Sequence, residues 1–275
     1  MTKLITIIYF ITAVFWIFLT IYTSHSVHPA GLYLQILLFI IPFLGALSGL
    51  RNAKLWGGFS SAVGKSITFL SLGTLTWSIG MLAWNYFIFM AKIEVPYPSL
   101  ADVAFILSWP LWALGVVYLS RATGVKFALR EARGKIILVV VPLLAIIASY
   151  YLLVVVARGG VVELDGSNGL KLFFDLFYPI GTAIILAMAL TFFSLSMNFL
   201  GGRYKTPITI LILAFIVNYL ADFTFSLSTT KGTYFNGHFV DFLFVTAMYL
   251  LSMSLSLMTP HSSSARGISS NTPNS

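Results

Sequence analysis

The stretch LITIIYFITAVFWIFLTIYT, at Leu4–Thr23, decides the fold because it has twenty consecutive residues without a charge, a proline or a glycine. A helix of about 20 apolar residues crosses a bilayer, since each residue adds about 1.5 Å across a hydrocarbon core about 30 Å thick. The stretch therefore predicts a membrane-spanning helix. No small-x-small cleavage site follows it, so we interpret it as a retained helix and not as a removed signal peptide.

The rest of the chain repeats this pattern. Seven further runs are long enough to span a bilayer: Gly31–Leu50, Ser66–Ala91, Val103–Ser120, Ile136–Ala157, Leu172–Met197, Pro207–Ser228 and Phe239–Met258. Of the 275 residues, 9% are charged, compared with about 25% in an average soluble domain. The sequence predicts an all-α fold, a polytopic transmembrane bundle of about eight spans over residues 1–258, followed by a disordered cytoplasmic tail, 259–275.

Charged residues separate to the two sides of these spans. With eight spans and the N-terminus inside, 12 of the 16 Lys and Arg residues fall in inner segments, and seven of the eight acidic residues fall on the outer side. Cationic loops stay in the cytoplasm. We therefore predict a protein of the cell membrane with both termini in the cytoplasm, a basic inner face and an acidic outer face.

Two stretches of the chain, residues 66–120 and 207–258, form a weak internal repeat. Asp102 and Asp241 occupy equivalent places in them, each opening a predicted span from the outside, and Asp175 opens the sixth span in the same way. Asp in this position caps free N–H groups and suits the positive end of the helix dipole. The three carboxylates are expected at a similar depth in the membrane, so they could also contact a ligand. Capping and ligand binding are compatible.

Asp222 is more costly to place. It lies about two turns from the outer end of the seventh span, where a carboxylate costs about 2.5–3.5 kcal/mol on insertion scales and usually faces a cavity or a partner. Asn218 lies four residues earlier and shares the helix face of Asp222. In the repeat, Asn85 is the counterpart of Asp222. These groups form either a polar patch for a ligand or hydrogen bonds between helices.

Aromatic residues accompany these polar groups. Trp84, Tyr97 and Tyr178 are candidate walls of a small-molecule pocket, although aromatic side chains also serve as packing and interface anchors. In the loop VPYPSLAD, Pro96 and Pro98 fix their own φ angles and extend the residues before them. This loop is predicted to form a stiff cover over the outer end of the fourth span.

The sequence lacks the common motifs of several catalytic and metal sites. It has no cysteine, and it contains no HExxH, no GxSxG and no phosphate-binding glycine loop. His25 and His28 are too few ligands for a typical zinc site. We therefore expect no catalytic residue, no metal site, no cofactor and no enzymatic activity. The net charge of +8 follows from the basic inner loops, and no nucleic-acid partner is expected.

An ordered set of segments resembles a known class of membrane region. The segments are WGGFSSAVGKSITFLSLGTLTWSIGMLAW (56–84), VPYPSLADVAFIL (95–107), DLFYPIGTAIILAMAL (175–190), ADFTFSLSTTKGTYFNG (221–237) and VDFLFVTAMYLLSMSL (240–255). Together they resemble the N-terminal multi-helix membrane regions of bacterial and archaeal signalling proteins that carry diguanylate cyclase, phosphodiesterase or histidine kinase domains downstream. The most specific motif is PYPSLAD, Pro96–Asp102. The resemblance implies a membrane sensor, here without the output domain.

This sequence departs from that class at one position of the sixth span. An acidic residue is expected after Tyr178-Pro179-Ile180-Gly181, and the sequence has Thr182 there. A second carboxylate, deeper in this span than Asp175, is therefore not expected.

The sequence as a whole favours a stand-alone sensory or ligand-binding module with an outward cavity. Its candidate contacts are Asn85, Asp102, Asp175, Asp222 and Asp241, with Trp84, Tyr97 and Tyr178 as walls. The candidate partners are the lipid bilayer, a small molecule or cation on the outer face, and a cytoplasmic signalling protein or a second copy of the chain. A small-solute or ion transporter or channel is the first alternative, and a membrane enzyme that uses the outer carboxylates on lipid is the second.

Overall fold

Eight long helices make up the part of the chain that the structure describes. The computed structural model describes residues 1–23, 29–96, 99–123, 130–160, 169–196 and 204–260, without the side chains of residues 170–172, 175 and 196. The helices are α1 (Thr2–Thr23), α2 (Tyr33–Leu55), α3 (Ala62–Asn85), α4 (Leu100–Ala122), α5 (Ala132–Tyr150), α6 (Gly169–Ser196), α7 (Lys205–Thr230) and α8 (Phe239–Leu257). A π-helical turn extends α3 over Tyr86–Ala91, and another extends α5 over Tyr151–Val156.

All eight helices have the length and composition of membrane spans. The described residues contain no β-strand. The prediction of an all-α bundle with eight spans is confirmed, and the chain is a multi-pass membrane protein. His25, His28 and the predicted tail from residue 261 onward lie outside the described residues.

Six of the helices close a ring. Going around it, α2 packs on α3, α3 on α4, α4 on α6, α6 on α7, α7 on α8, and α8 again on α2. Outside the ring, α1 packs against α8 and α2, and α5 packs against α6. We call the end at which α2, α4, α6 and α8 begin the upper end, and the other the lower end.

The ring order has a bearing on the predicted repeat. With six members in the order α2, α3, α4, α6, α7 and α8, α3 lies across the ring from α7 and α4 lies across from α8. Residues 66–120 cover most of α3 and α4, and residues 207–258 cover most of α7 and α8. If a two-fold axis related residues 66–120 to residues 207–258, α3 would lie opposite α7 and α4 opposite α8, as they do in this order. The relation itself stays a prediction.

Burial separates the ring from the two outer helices. In the spanning part of α3, 61% of the residues are buried, compared with 11% in the α5 span and 17% in the α1 span. The exposed side chains of α1 and α5 are large and apolar, for example Phe10 and Val14 in α1 and Val139 and Ile146 in α5. In a membrane protein this surface faces lipid, because apolar side chains lose nothing there.

Small residues let the ring helices approach closely. A Cβ atom at Gly45 of α2 would lie 2.1 Å from the Ser252 hydroxyl of α8, and one at Gly80 of α3 would lie 2.4 Å from the Phe105 ring of α4. Membrane helices associate mainly through such close packing, because lipid tails are as apolar as leucine and give no hydrophobic drive. The glycines therefore fix the ring's contacts.

Polar side chains join α2 to α8 at the lower end. Asn52 donates its amide to the Leu255 carbonyl at 2.8 Å and to the Ser256 carbonyl at 3.2 Å. The indole of Trp56 donates to the Met258 carbonyl at 3.1 Å. The last carbonyls of a helix have no partner within that helix. The end of α2 thus supplies the donors that the end of α8 lacks.

Gly45→Ala should destabilise the bundle, because the added methyl group meets Ser252 at its Cβ and its backbone Cα. Overpacking of this kind typically costs about 1–3 kcal/mol. The measurement is the thermal unfolding temperature of the purified protein in detergent. Gly169→Ala is the matched control, since no described atom lies within 4 Å of a Cβ there. Equal unfolding temperatures for the two variants would contradict the close α2–α8 contact.

The orientation of the ring can be tested by labelling, because the chain has no cysteine of its own. Glu94 is exposed at the upper end, and Ser60 is exposed at the lower end. If the upper end faces outside, a membrane-impermeant maleimide should label Glu94→Cys on intact cells and label Ser60→Cys only after permeabilisation. The reverse pattern would overturn the predicted orientation.

Candidate functional site

A cavity opens in the upper half of the ring, and every ring helix contributes to it. Its volume is about 70 Å³, which at about 10–15 Å³ per water molecule holds a few waters or one compact chemical group. The lining residues come from α2 (Gln35, Leu38), α3 (Trp77, Met81, Trp84), α4 (Asp102, Phe105, Trp109), α6 (Tyr178), α7 (Asn218, Asp222, Phe225), α8 (Asp241, Phe244) and the loop before α8 (Tyr234).

The structure brings five of the predicted contacts together in this cavity. They are Asp102, Asp222, Asp241, Trp84 and Tyr178. Three carboxylates that are far apart in the sequence therefore face one space. They come from three different ring helices, α4, α7 and α8, so the ring order of the helices brings them to the same cavity.

The remaining predicted contacts lie elsewhere. Asn85 does not line the cavity; its amide donates to the Gln35 carbonyl of α2 at 2.9 Å and to the Met81 carbonyl at 2.8 Å. It thus joins α2 to α3. Tyr97 and the side chain of Asp175 lie outside the described residues, so their predicted roles remain predictions.

Asp102 caps α4. One carboxylate oxygen accepts the backbone N–H of Ser99, and the Ser99 hydroxyl accepts the N–H of Ala101 at 3.2 Å. The second carboxylate oxygen accepts the hydroxyl of Tyr178. Both oxygens are therefore occupied, and the side chain connects the start of α4 to α6.

Asp241 has a similar arrangement at the start of α8. Its Oδ2 accepts the Gln35 amide at 2.7 Å and the Gly237 N–H at 2.6 Å, and its Oδ1 accepts the Tyr234 hydroxyl at 2.9 Å. Burial raises the pKa of the Tyr234 phenol well above its usual value, and the nearby charge of Asp241 and the hydrogen bond to it act in the same direction. The phenol stays protonated and remains a donor.

Asp222 differs from the two caps, because it lies in the middle of a helix. Its Oδ2 accepts the hydroxyl of Thr182 from α6 and, at 3.3 Å, the amide of Asn218 one turn earlier. The same Asn218 amide also lies 3.3 Å from the Thr182 hydroxyl. Three side chains from two neighbouring helices thus form one hydrogen-bonded group.

Two oxygen atoms of this group have no partner among the described residues. Oδ1 of Asp222 accepts no hydrogen bond, although the residue is only 7% exposed. Oδ1 of Asn218 is fully buried and unpaired, in a residue that is 3% exposed. Buried polar atoms are nearly always paired, so Oδ1 of Asn218 is an exception, whereas Oδ1 of Asp222 keeps some accessible surface in a residue that lines the cavity.

The carboxylates also lack a positive partner. Within the described part of the chain, no Lys, Arg or His side chain forms an ion pair with Asp102, Asp222 or Asp241; their contacts are to amides, hydroxyls and backbone N–H groups. A cavity with walls of one charge and low dielectric concentrates ions of the other sign. The cavity therefore presents acidic side chains without a basic side chain paired to them among the described residues.

Aromatic rings form a continuous wall beside these oxygens. Tyr234 contacts Phe225 with ring centres 4.8 Å apart, Phe225 lies 6.3 Å from Phe244, and Phe244 lies 6.1 Å from Trp77. Phe105 continues the wall at 5.5 Å from Trp77. We call these five residues the aromatic wall.

Below the cavity the ring is closed by packed side chains. Trp112 of α4 and Phe215 of α7 are almost completely buried, and their ring centres lie 5.9 Å apart. Ile67, Leu70 and Leu251 are buried beside them in the same core. This layer, which we call the floor, separates the cavity from the lower end.

The site includes residues that sequence reasoning did not single out as contacts. Gln35 is an isolated amide in an otherwise apolar span, and this is a signal that could have found it. Thr182 lies four residues after Tyr178 and therefore on the same helix face. Tyr234 is different, because it enters the cavity from a loop whose path the sequence does not predict.

The chemistry of the cavity has to be inferred from its own atoms. No protein-family model, curated protein or solved structure matches the chain. Among the residues that the structure describes, no group of three or more His, Cys, Asp and Glu side chains could hold a metal ion. What the cavity presents is carboxylate and amide oxygen beside aromatic rings, a combination typical of small-molecule sites.

Thr182→Val should destabilise the protein, because it keeps the side chain's shape and removes a donor from the buried carboxylate of Asp222. The expected loss is about 1–3 kcal/mol. Thr191→Val is the matched control, since Thr191 is also buried in α6 but donates only to the Ala187 carbonyl. Thermal unfolding compares the two. Similar losses for both would show that the bond to Asp222 has no special weight.

Proposed function

We propose that this chain is a ligand-binding membrane module of the sensory type, and that its ligand binds in the upper cavity. The observation that carries the proposal is the position of Asp222. It is a carboxylate in the interior of a spanning helix, it lines a cavity, and its Oδ1 accepts no hydrogen bond from the residues that the structure describes. Intramembrane carboxylates are costly, and they commonly mark ligand or ion sites.

Structural bonding alone accounts for the other two carboxylates but not for this one. Asp102 and Asp241 use both oxygens: Asp102 completes the capping box of α4, and Asp241, in the first turn of α8, bonds the Gly237 N–H that precedes the helix. Asp222 caps nothing, and its partner Asn218 has an unpaired oxygen of its own. In a low-dielectric interior a partly satisfied polar group is destabilising. A bound ligand or ordered water that donates to Oδ1 of Asp222 would reduce this cost.

The floor favours a receptor over a channel. A channel needs a polar path through the bundle, whereas Trp112 and Phe215 close the ring below the cavity. The largest fully buried side chains of the described core are apolar. The cavity therefore lies above this floor, in the upper half of the ring.

The ring offers a means for a ligand to act at a distance. Residues of all six ring helices line the cavity, so a bound molecule would favour whichever helix arrangement gives it the better contacts. The resemblance to membrane regions of signalling proteins points the same way. A cytoplasmic protein or a second copy of the chain would then respond to the rearrangement at the lower end.

Ligand-dependent thermal stability tests the proposal. Purified protein in detergent is screened against amines, inorganic cations, amino acids, sugars and lipids, with wild type and Asp222→Asn in parallel. The Asn side chain can still accept from Thr182, so the variant is expected to fold. A ligand at about a hundred times its Kd stabilises the folded state by about 2.7 kcal/mol. We expect at least one class of compound to stabilise the wild type and not the variant.

Glu94→Gln is the control for this screen, because Glu94 is an exposed carboxylate outside the cavity lining. It should respond to ligands as the wild type does. If no compound stabilises the wild type, or if Asp222→Asn responds equally, the cavity is not the binding site. Asp222-dependent flux in proteoliposomes would replace the receptor with a transporter.

A further inference from the structure

We infer that the ligand of the upper cavity is a small alkylammonium ion, a protonated amine that carries N–H donors and a short apolar body. The inference rests on the proposed function and narrows it to one chemical class. Three independent features of the cavity lead to it: the kind of polar atom left free, the sign of the charge, and the nature of the walls.

The free polar atoms of the Asp222 group are both acceptors. Oδ1 of Asp222 accepts no hydrogen bond from the described residues and keeps accessible surface, while Oδ1 of Asn218, four residues earlier on the same face of α7, is unpaired and fully buried behind it. The neighbouring amide and phenol donors are already engaged, since Gln35 and Tyr234 donate to Asp241 and Tyr178 donates to Asp102. A ligand that completes this group must therefore donate hydrogen bonds.

The charge balance of the cavity calls for a cation. Three carboxylates line it, and no described Lys, Arg or His side chain pairs with them. Hydrogen bonds between a charged donor and a carboxylate are roughly twice as strong as neutral ones. A protonated amine would give Asp222 a counter-ion and satisfy its free oxygen at the same time.

The aromatic wall decides between an organic cation and a metal ion. Hard metal ions take about six to eight oxygen ligands, whereas this group offers one accessible free oxygen, Oδ1 of Asp222, beside five aromatic rings. Aromatic faces attract organic ammonium groups through cation–π interactions and pack against their alkyl carbons. The volume of about 70 Å³ limits the buried part of the ligand to a compact group.

The test uses three probes of equal length that differ in head-group charge. They are butylammonium, butanol and butyrate, each added to the purified protein in detergent while thermal stability is measured. We expect butylammonium to stabilise the wild type in a saturable manner, and butanol and butyrate to have no saturable effect. Sodium, potassium and calcium chlorides are run alongside as inorganic cations.

Two variants assign the effect to the cavity. Asp222→Asn should weaken butylammonium binding at least tenfold, because it removes the counter-ion but keeps the acceptor for Thr182. Phe225→Leu should weaken it about threefold to tenfold through loss of a cation–π contact while an apolar side chain remains. Glu94→Gln, outside the cavity, should bind as the wild type does.

The outcomes separate this inference from the function on which it rests. If butylammonium has no saturable effect while a sugar, an anion or a metal ion stabilises the wild type through Asp222, the ligand class is wrong and the binding function stands. If no probe binds at all, both the ligand class and the proposed binding function are wrong. If butylammonium stabilises wild type and Asp222→Asn alike, it binds elsewhere, and the inference is overturned.

Discussion

Lipid offers no hydrogen bonds, and this constraint shapes the whole bundle. Polar side chains can lie within the membrane only where other protein groups meet them, so they gather inside the ring and leave its lipid-facing surface apolar. Asp102 and Asp241 use the free backbone N–H groups next to a helix start. Asp222 has no helix end to serve, and its surroundings of Thr182 and Asn218 leave part of it unpaired. The cavity lies where polar side chains inside the membrane have the fewest hydrogen-bond partners for their atoms.

The sequence was sufficient to predict the spans, because each span is a continuous apolar run whose length is set by the bilayer. It also predicted that Asp102, Asp222 and Asp241 lie toward one end, because alternating spans place every second helix start on the same side. Their convergence on one cavity could not be read from spacing alone. It depends on the ring order of the helices, which arises from contacts such as Gly45 against Ser252.

The sequence was less informative about the partners of each polar group. Asn85 shares the depth of Asp222 in the repeat, but the direction of its side chain is set by how α3 is rotated against α2. That rotation turns it toward the Gln35 carbonyl and away from the cavity. Tyr234 reaches Asp241 from a loop, and loop paths have no periodicity from which to predict them. The hydrogen bond from Thr182 to Asp222 could not be predicted, because it depends on the packing of α6 beside α7.

Closure of the ring has a mechanical consequence. In an open row of helices, a tilt of one member can be absorbed at the free edge. A closed cycle of six has no free edge, so the tilt of one helix must be matched by compensating tilts elsewhere around the circle. At the lower end, Asn52 and Trp56 join α2 to α8 by hydrogen bonds. These bonds restrict the relative motion of the two helices. The six ring helices are thereby constrained to move together, and few of them can tilt independently of the others.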